Sequence, residues 1–186
     1  MDFGDKFETG LEYTPFLERY ANEDQLQRWQ DVLDRIAITS EQQAILLSFV
    51  REMKVLVLAG TWCGDCVNQL PILEHFARVN SLIRIRYFDR DDNPDLGEHL
   101  MTCGAVRVPA VLFLSEDNHV CGRYGDRTLA RYRQMASQFQ GNACSTGIVA
   151  DGDSVFAETI SDWCREFERI QLMLRTSGRL RQKHGD

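Results

Sequence analysis

The stretch 54-KVLVLAGTWCGDCVNQLP-71 runs from an unbroken aliphatic segment into two cysteines three apart and then to a proline. Residues 54–60 are continuously aliphatic and β-branched, the pattern of a strand covered on both faces. A helix is expected next, over about 63–79, with Leu70, Leu73, Phe76, Ala77 and Val79 on its apolar side. Cys63 thus falls where a buried strand passes into a helix. The first helical turn carries unpaired N–H groups and the positive end of the macrodipole, and both stabilise a thiolate. Cys66 follows one turn later, on the same side and within bridging reach. Cys63 should be the more exposed, attacking thiol and Cys66 the more buried, resolving one.

Three chemistries compete for such a pair: thiol–disulfide exchange, half of a zinc site, or two inert thiols. Zinc commonly takes four ligands, often from two such pairs. The sequence holds no second C-x-x-C and no H-x₃-H, so no metal site is expected. The strand–C-x-x-C–helix context favours redox chemistry.

Outward from this stretch the pattern stays legible. Upstream, residues 1–52 read as helical: a short segment at 14–21, then two starts at 22-NEDQ and 39-TSEQ. Each start has a capping residue followed three positions later by glutamine. Leu26, Trp29, Leu33 and Ile36 recur at helical spacing after the first; Ala44, Leu47 and Val50 are the expected face of the second. Downstream, 82-LIRIRYFD-89 alternates as a strand, with Arg84 and Arg86 expected to point outward. The run 89-DRDDNPDL-96 is a polar turn into a short helix. Strands 109–114 and 119–124 flank a tight turn and form an antiparallel hairpin. Asp126 is a candidate cap for a helix over 127–139. A last helix, to about 176, carries the stripe Phe156, Ile160, Trp163, Phe167, Ile170 and Leu174, and the tail 178–186 should fray. Strand–helix–strand units give parallel neighbours. The middle is therefore a small mixed sheet with helices on both faces.

Composition bounds the function. The chain has 186 residues, 44% hydrophobic and 26% charged, enough for a core without disulfide staples. A net charge of −7 argues against nucleic acid or an anionic membrane as partner. The apolar runs are too short to span a bilayer, and the acidic start lacks a signal-peptide pattern, so a cytoplasmic protein is expected.

The residues 62-WCGDC-66, Pro71 five positions beyond the second cysteine, and 106-VRVPA-110 before a strand resemble the thioredoxin superfamily. The resemblance covers about residues 53–140. It implies a thioredoxin-like three-layer α/β/α sandwich on a four-stranded mixed sheet, with added helices at both ends. The chain then divides into a helical extension (1–52), the core (53–140), and a loop and C-terminal helix (141–186) packed on the core or at a dimer interface. The resemblance makes Cys63 the nucleophile, Cys66 the resolving thiol, Trp62 the aromatic beside them, and Gly64 and Asp65 the tuning dipeptide. Pro109 would be the cis-proline, and Val108 would offer backbone groups to an extended substrate. It implies a thiol–disulfide oxidoreductase with no bound cofactor. Its partners would be protein or small-molecule disulfides and a reductase or low-molecular-weight thiol. The alternative is a non-catalytic interaction scaffold or redox sensor.

Two departures stand out. Asp65 occupies a position that is proline in thioredoxin itself, and should repel a Cys63 thiolate and raise its pKa. Val57 stands six positions before Cys63, where the family carries a buried aspartate. Of the other cysteines, Cys103 and Cys121 are expected to be buried. Cys144 and Cys164 could pair or relay, and His75 is expected in solvent.

Overall fold

The computed structural model describes residues 1–139 and 152–186. Four helices lead: α1 (Phe3–Glu8), α2 (Tyr13–Tyr20), α3 (Glu23–Asp34) and α4 (Ser40–Leu47). Both capping boxes form. Asn22 Oδ1 accepts from Gln25 N at 2.9 Å, Thr39 Oγ1 accepts from Gln42 N at 3.1 Å, and each glutamine returns a bond to its cap. The buried face of α4 is not the expected one. Leu47 is 58% and Val50 51% exposed, whereas Leu46 and Phe49 are buried. Phe49 lies just past the end of α4, and burying its ring with Leu46 removes more apolar surface from water than Leu47 and Val50 would. Helix α1 has no strong sequence signal; Asp2 caps it and Phe7 anchors it.

The sheet comprises β1 (Met53–Ala59), β2 (Ile83–Asp89), β3 (Ala110–Ser115) and β4 (Val120–Tyr124) in the order β2-β1-β3-β4. Strand β1 is central and buried along its length. It runs parallel to β2 across α5 (Gly64–Val79), with Val57 opposite Tyr87. Against β3 it is antiparallel, with Val57 opposite Val111. The parallel expectation therefore holds for only one of the two connections. The second connection has only the six-residue α6 (Pro94–His99) and then a reversal at Thr102–Ala105. That reversal uses Gly104 at φ +74°, a conformation an L side chain resists. Strand β3 then starts beside Leu58, at the end of the sheet where β2 leaves it, so it runs antiparallel with no crossover.

Helices α2, α3 and α5 cover the face of Val55, Val57 and Tyr87, joined by α8 (Gly152–Thr176). The predicted α8 stripe is buried there. Phe167 meets Phe113 edge-on at 5.2 Å and Phe76 at 5.5 Å, and Trp163 lies 4.7 Å from Tyr124. Phe156, at the start of that stripe, is only partly buried, with the Arg35 guanidinium over its ring at 4.7 Å.

On the opposite face, α1 places Phe7 beneath three cations. Lys54, Arg84 and Arg86 lie 5.4, 5.5 and 5.4 Å from its ring. The two arginines are thus half-buried rather than outward, because α1 covers their side of the sheet. Asp126 does not cap α7 (Leu129–Phe139): its carboxylate turns to Arg107, Arg127 and Tyr132. The tail is not frayed but forms α9 (Gly178–His184), where Leu180 is fully buried. Lys183 and His184 hold it to Glu116 at 2.6 and 2.9 Å. Among the described residues no helix is long and apolar enough to cross a membrane.

Candidate thiol site

Strand β1 delivers the chain to Gly60, and Cys63 becomes the N-cap of α5. A Cβ at Gly60 would stand 2.7 Å from the Trp62 ring, so a side chain there would displace the indole. The turn is held from the leader. Trp29 Nε1 donates to the Thr61 carbonyl at 3.1 Å, and Thr61 Oγ1 donates to the Tyr20 carbonyl at 2.9 Å. Trp62 itself is 49% exposed, with the Arg90 guanidinium 4.5 Å above its ring.

Cys63 is half-buried, Cys66 is fully buried, and both are free thiols. The two differ in their affinity for a proton. The Cys63 pKa is lowered to about 6, first by a hydrogen bond from the Cys66 thiol and then by the backbone N–H groups of Cys66 and Asp65; burial and the Asp65 charge oppose this. Burial pushes Cys66 well above the ordinary thiol value, and its bond to Cys63 adds to the rise. As a thiol, Cys63 donates from Sγ to the Val108 carbonyl at 3.4 Å. The Val108–Pro109 bond is cis. The structure thus brings Cys63, Cys66, Trp62 and Val108–Pro109 together at the start of α5. Gly64 faces open space, with no atom within 4 Å of where its Cβ would be.

Asp65 acts on Cys63 in the expected direction: its charge raises the pKa, but the hydrogen bonds at the helix start outweigh it and the net value is lowered. The carboxylate is also not free. Only 12% exposed, it lies 2.6 Å from Arg127 Nη2 and 3.4 Å from Arg131 Nη2. Val57 is fully buried, so the place of the family's aspartate is apolar. Gln69, one turn beyond Cys66, is also buried. It donates to the Asp126 carbonyl at 3.0 Å and accepts from Trp163 Nε1 at 3.2 Å.

Sequence reasoning missed Arg127, Arg131, Gln69 and the Trp29–Thr61 bond. A signal existed only for the arginines, which fall four apart where a helix was expected to begin; Arg127 lies in the loop before α7 and Arg131 on the helix itself.

The remaining candidates scatter. Cys103 is exposed at φ +51° in the Thr102–Ala105 turn and Cys121 is half-buried, so neither fits the buried expectation. The first sits on a reversal and the second on the edge strand β4. Cys164 is buried and Cys144 lies outside the described residues, as does any pairing between them. His75 is half-buried rather than in solvent, and burial lowers its pKa. In the acidic loop, Asp89 accepts from the backbone of Asp91 at 2.9 Å and Asp92 at 3.3 Å, folding the loop on itself. Among the described residues no group of three or more His, Cys, Asp or Glu is placed to hold a metal ion.

Comparison with known proteins bears on this geometry. A family model described as thioredoxin matches residues 10–139. A Pseudomonas aeruginosa protein of unknown function is similar in structure, at 16% identity and TM-score 0.74, covering 91% of this chain and 96% of its own. An HIV epitope-scaffold is similar at 18% identity and TM-score 0.70, covering 91% and 97%. The thioredoxin of Fasciola hepatica aligns over 48% of this chain and 82% of its own, at 20% identity and TM-score 0.36. No curated protein matches the chain.

Proposed function

Because the chain belongs to the thioredoxin family, a fold that supports a redox-related role in general, we propose that it is a thiol–disulfide oxidoreductase working through Cys63 and Cys66. One observation carries this reading: a half-buried cysteine with lowered pKa at a helix start, its sulfur 3.4 Å from the Val108 carbonyl, and a fully buried second thiol donating to it.

In the reducing direction the Cys63 thiolate attacks one sulfur of a substrate disulfide. That bond breaks, and the first substrate thiolate leaves and takes a proton from water. The remaining Cys63–substrate mixed disulfide is attacked by Cys66, which gives up its proton as it bonds to Cys63 Sγ. The second substrate thiolate departs. The substrate has gained two electrons, and the protein has given them up in passing from two thiols to one disulfide. A reductase dithiol or a low-molecular-weight thiol of the cytoplasm returns the pair to its reduced form. Val108 serves an extended substrate with main-chain groups, a mode tolerant of sequence. Trp62 offers an exposed apolar surface beside it.

The test is reduction of insulin by dithiothreitol, followed by turbidity, with wild type and Cys63→Ser compared. Activity in the wild type alone supports the proposal. Equal rates in both overturn it and favour the interaction-scaffold reading.

A further inference from the structure

Four charges of alternating sign join the three segments that build the thiol site. Asp65, between the cysteines, is paired with Arg127 at 2.6 Å. The other end of the same guanidinium lies 2.9 Å from Asp126 Oδ2. Asp126 also accepts from Arg107 at 3.2 Å, and Arg107 immediately precedes Val108–Pro109. The Tyr132 hydroxyl donates to the remaining Asp126 oxygen. The chain Asp65–Arg127–Asp126–Arg107 thus connects the α5 start, the loop after β4 and the loop before β3. Its inner members are sheltered: the Asp126 side chain is 3%, Asp65 12% and Arg127 20% exposed. Sheltered pairs are screened less by solvent and salt than surface ones.

Arg127 is the member on which both carboxylates depend. Without it, Asp65 would keep, among the described residues, only Arg131, at 3.4 Å, and its charge would bear more fully on Cys63. We propose that Arg127 is a positioning residue for the Cys63 thiol: it holds the Asp65 carboxylate against the start of α7 and offsets the repulsion of that charge on the sulfur. Among the described residues, the titratable groups that act on the thiol are Cys66 and Asp65 on α5, and the cations on Asp65 are Arg127 and Arg131. Arg107 and Asp126 stand behind these, and Arg90 is engaged on the Trp62 ring.

This inference rests on the reading of Cys63 as the reactive thiol, but its test needs no disulfide substrate. Iodoacetamide labelling of Cys63 is followed by peptide mass spectrometry from pH 4 to 9 in wild type, Arg127→Gln, Arg127→Lys, Asp65→Asn and the Asp65→Asn/Arg127→Gln double variant. Arg127→Gln should move the labelling midpoint up by about one pH unit, the scale of one nearby charge. Arg127→Lys should restore most of that shift, and Asp65→Asn should abolish it in the double variant. Asp65→Asn alone should lower the midpoint. An unmoved midpoint in Arg127→Gln overturns the proposal, as does a double variant that stays as high as the single one. If Arg127→Gln does not fold, Arg127→Met, which keeps the apolar length of the side chain, takes its place and is judged by the same midpoint. Insulin turnover in the same proteins separates the two readings: a shifted midpoint with no turnover in wild type keeps Arg127 and discards the oxidoreductase.

Discussion

The two cysteines sit one helical turn apart in opposite surroundings. Around Cys63 the protein supplies backbone N–H groups, a thiol donor and a set of paired charges, and the sulfur is held as a thiolate near neutral pH. Around Cys66 it supplies an apolar core, with Val57 fully buried where the family carries an acid, and the thiol keeps its proton. The contrast teaches that attack and resolution place separate demands on a fold. Attack is prepared in the resting structure. Resolution requires the departure of a proton for which no carboxylate waits at the family's usual position. The mixed disulfide is therefore expected to be the slow intermediate, resolving faster as pH rises.

The largest expected effect removes one side of the contrast. Cys66→Ser should bring insulin turnover to background while Cys63 accumulates in mixed disulfides, visible as thiol-sensitive bands on non-reducing gels. Their absence would mean that Cys63 does not attack. Next, Val57→Asp places an acid in the apolar half. It should cost about 3 kcal/mol of stability in urea unfolding, as a buried polar group without a partner. Single-turnover resolution of a mixed disulfide should become faster and less dependent on pH. An unchanged resolution rate would remove proton transfer as the limit. Third, Cys63 labelling should rise about tenfold between pH 5 and 7, as expected for a thiolate forming through the lowered pKa of about 6, with Cys66 unlabelled. The sign follows from the direction: a lowered value puts the thiolate at lower pH, so a rise centred above pH 8 would contradict the hydrogen-bonded arrangement. The smallest effect is on the couple itself. Asp65→Asn stabilises the thiolate of the reduced form, so the potential should move to more oxidising values. The move should stay within about 30 mV, because Arg127 and Arg131 already offset the charge. A shift in the reducing direction would break the account of Asp65.

The half of this contrast that lies along the chain was legible in the sequence. The aliphatic run of β1, the cysteine spacing and the position of Pro109 are local patterns, and they locate the thiols and the sheet. The capping boxes at Asn22 and Thr39 are local too, and both form. What stayed hidden depends on partners distant in sequence. Asp65 reads as a lone acid until the loop after β4 brings Arg127 against it across 62 residues of chain. The exposed face of α4 and the folded tail were missed for the same reason: Leu46, Phe49 and Leu180 are chosen by the surface they meet, not by their own spacing. Even the topology shows it, since the antiparallel course of β3 follows from where the connection re-enters the sheet, beside Leu58, and not from the pattern of the strand itself.

The three tryptophans occupy three different situations, which makes the site observable without a label. Trp62 is 49% exposed beside the thiols, whereas Trp29 and Trp163 are fully enclosed, each with its indole N–H spoken for by Thr61 or Gln69. Long-wavelength emission and quenching by soluble iodide or acrylamide should therefore report on Trp62 alone. A substrate lying along Val108 would shield that indole, and its departure would uncover it again. The arrival and release of a partner could then be timed by light from the residue next to the chemistry, while the two enclosed indoles serve as an internal reference for the rest of the fold.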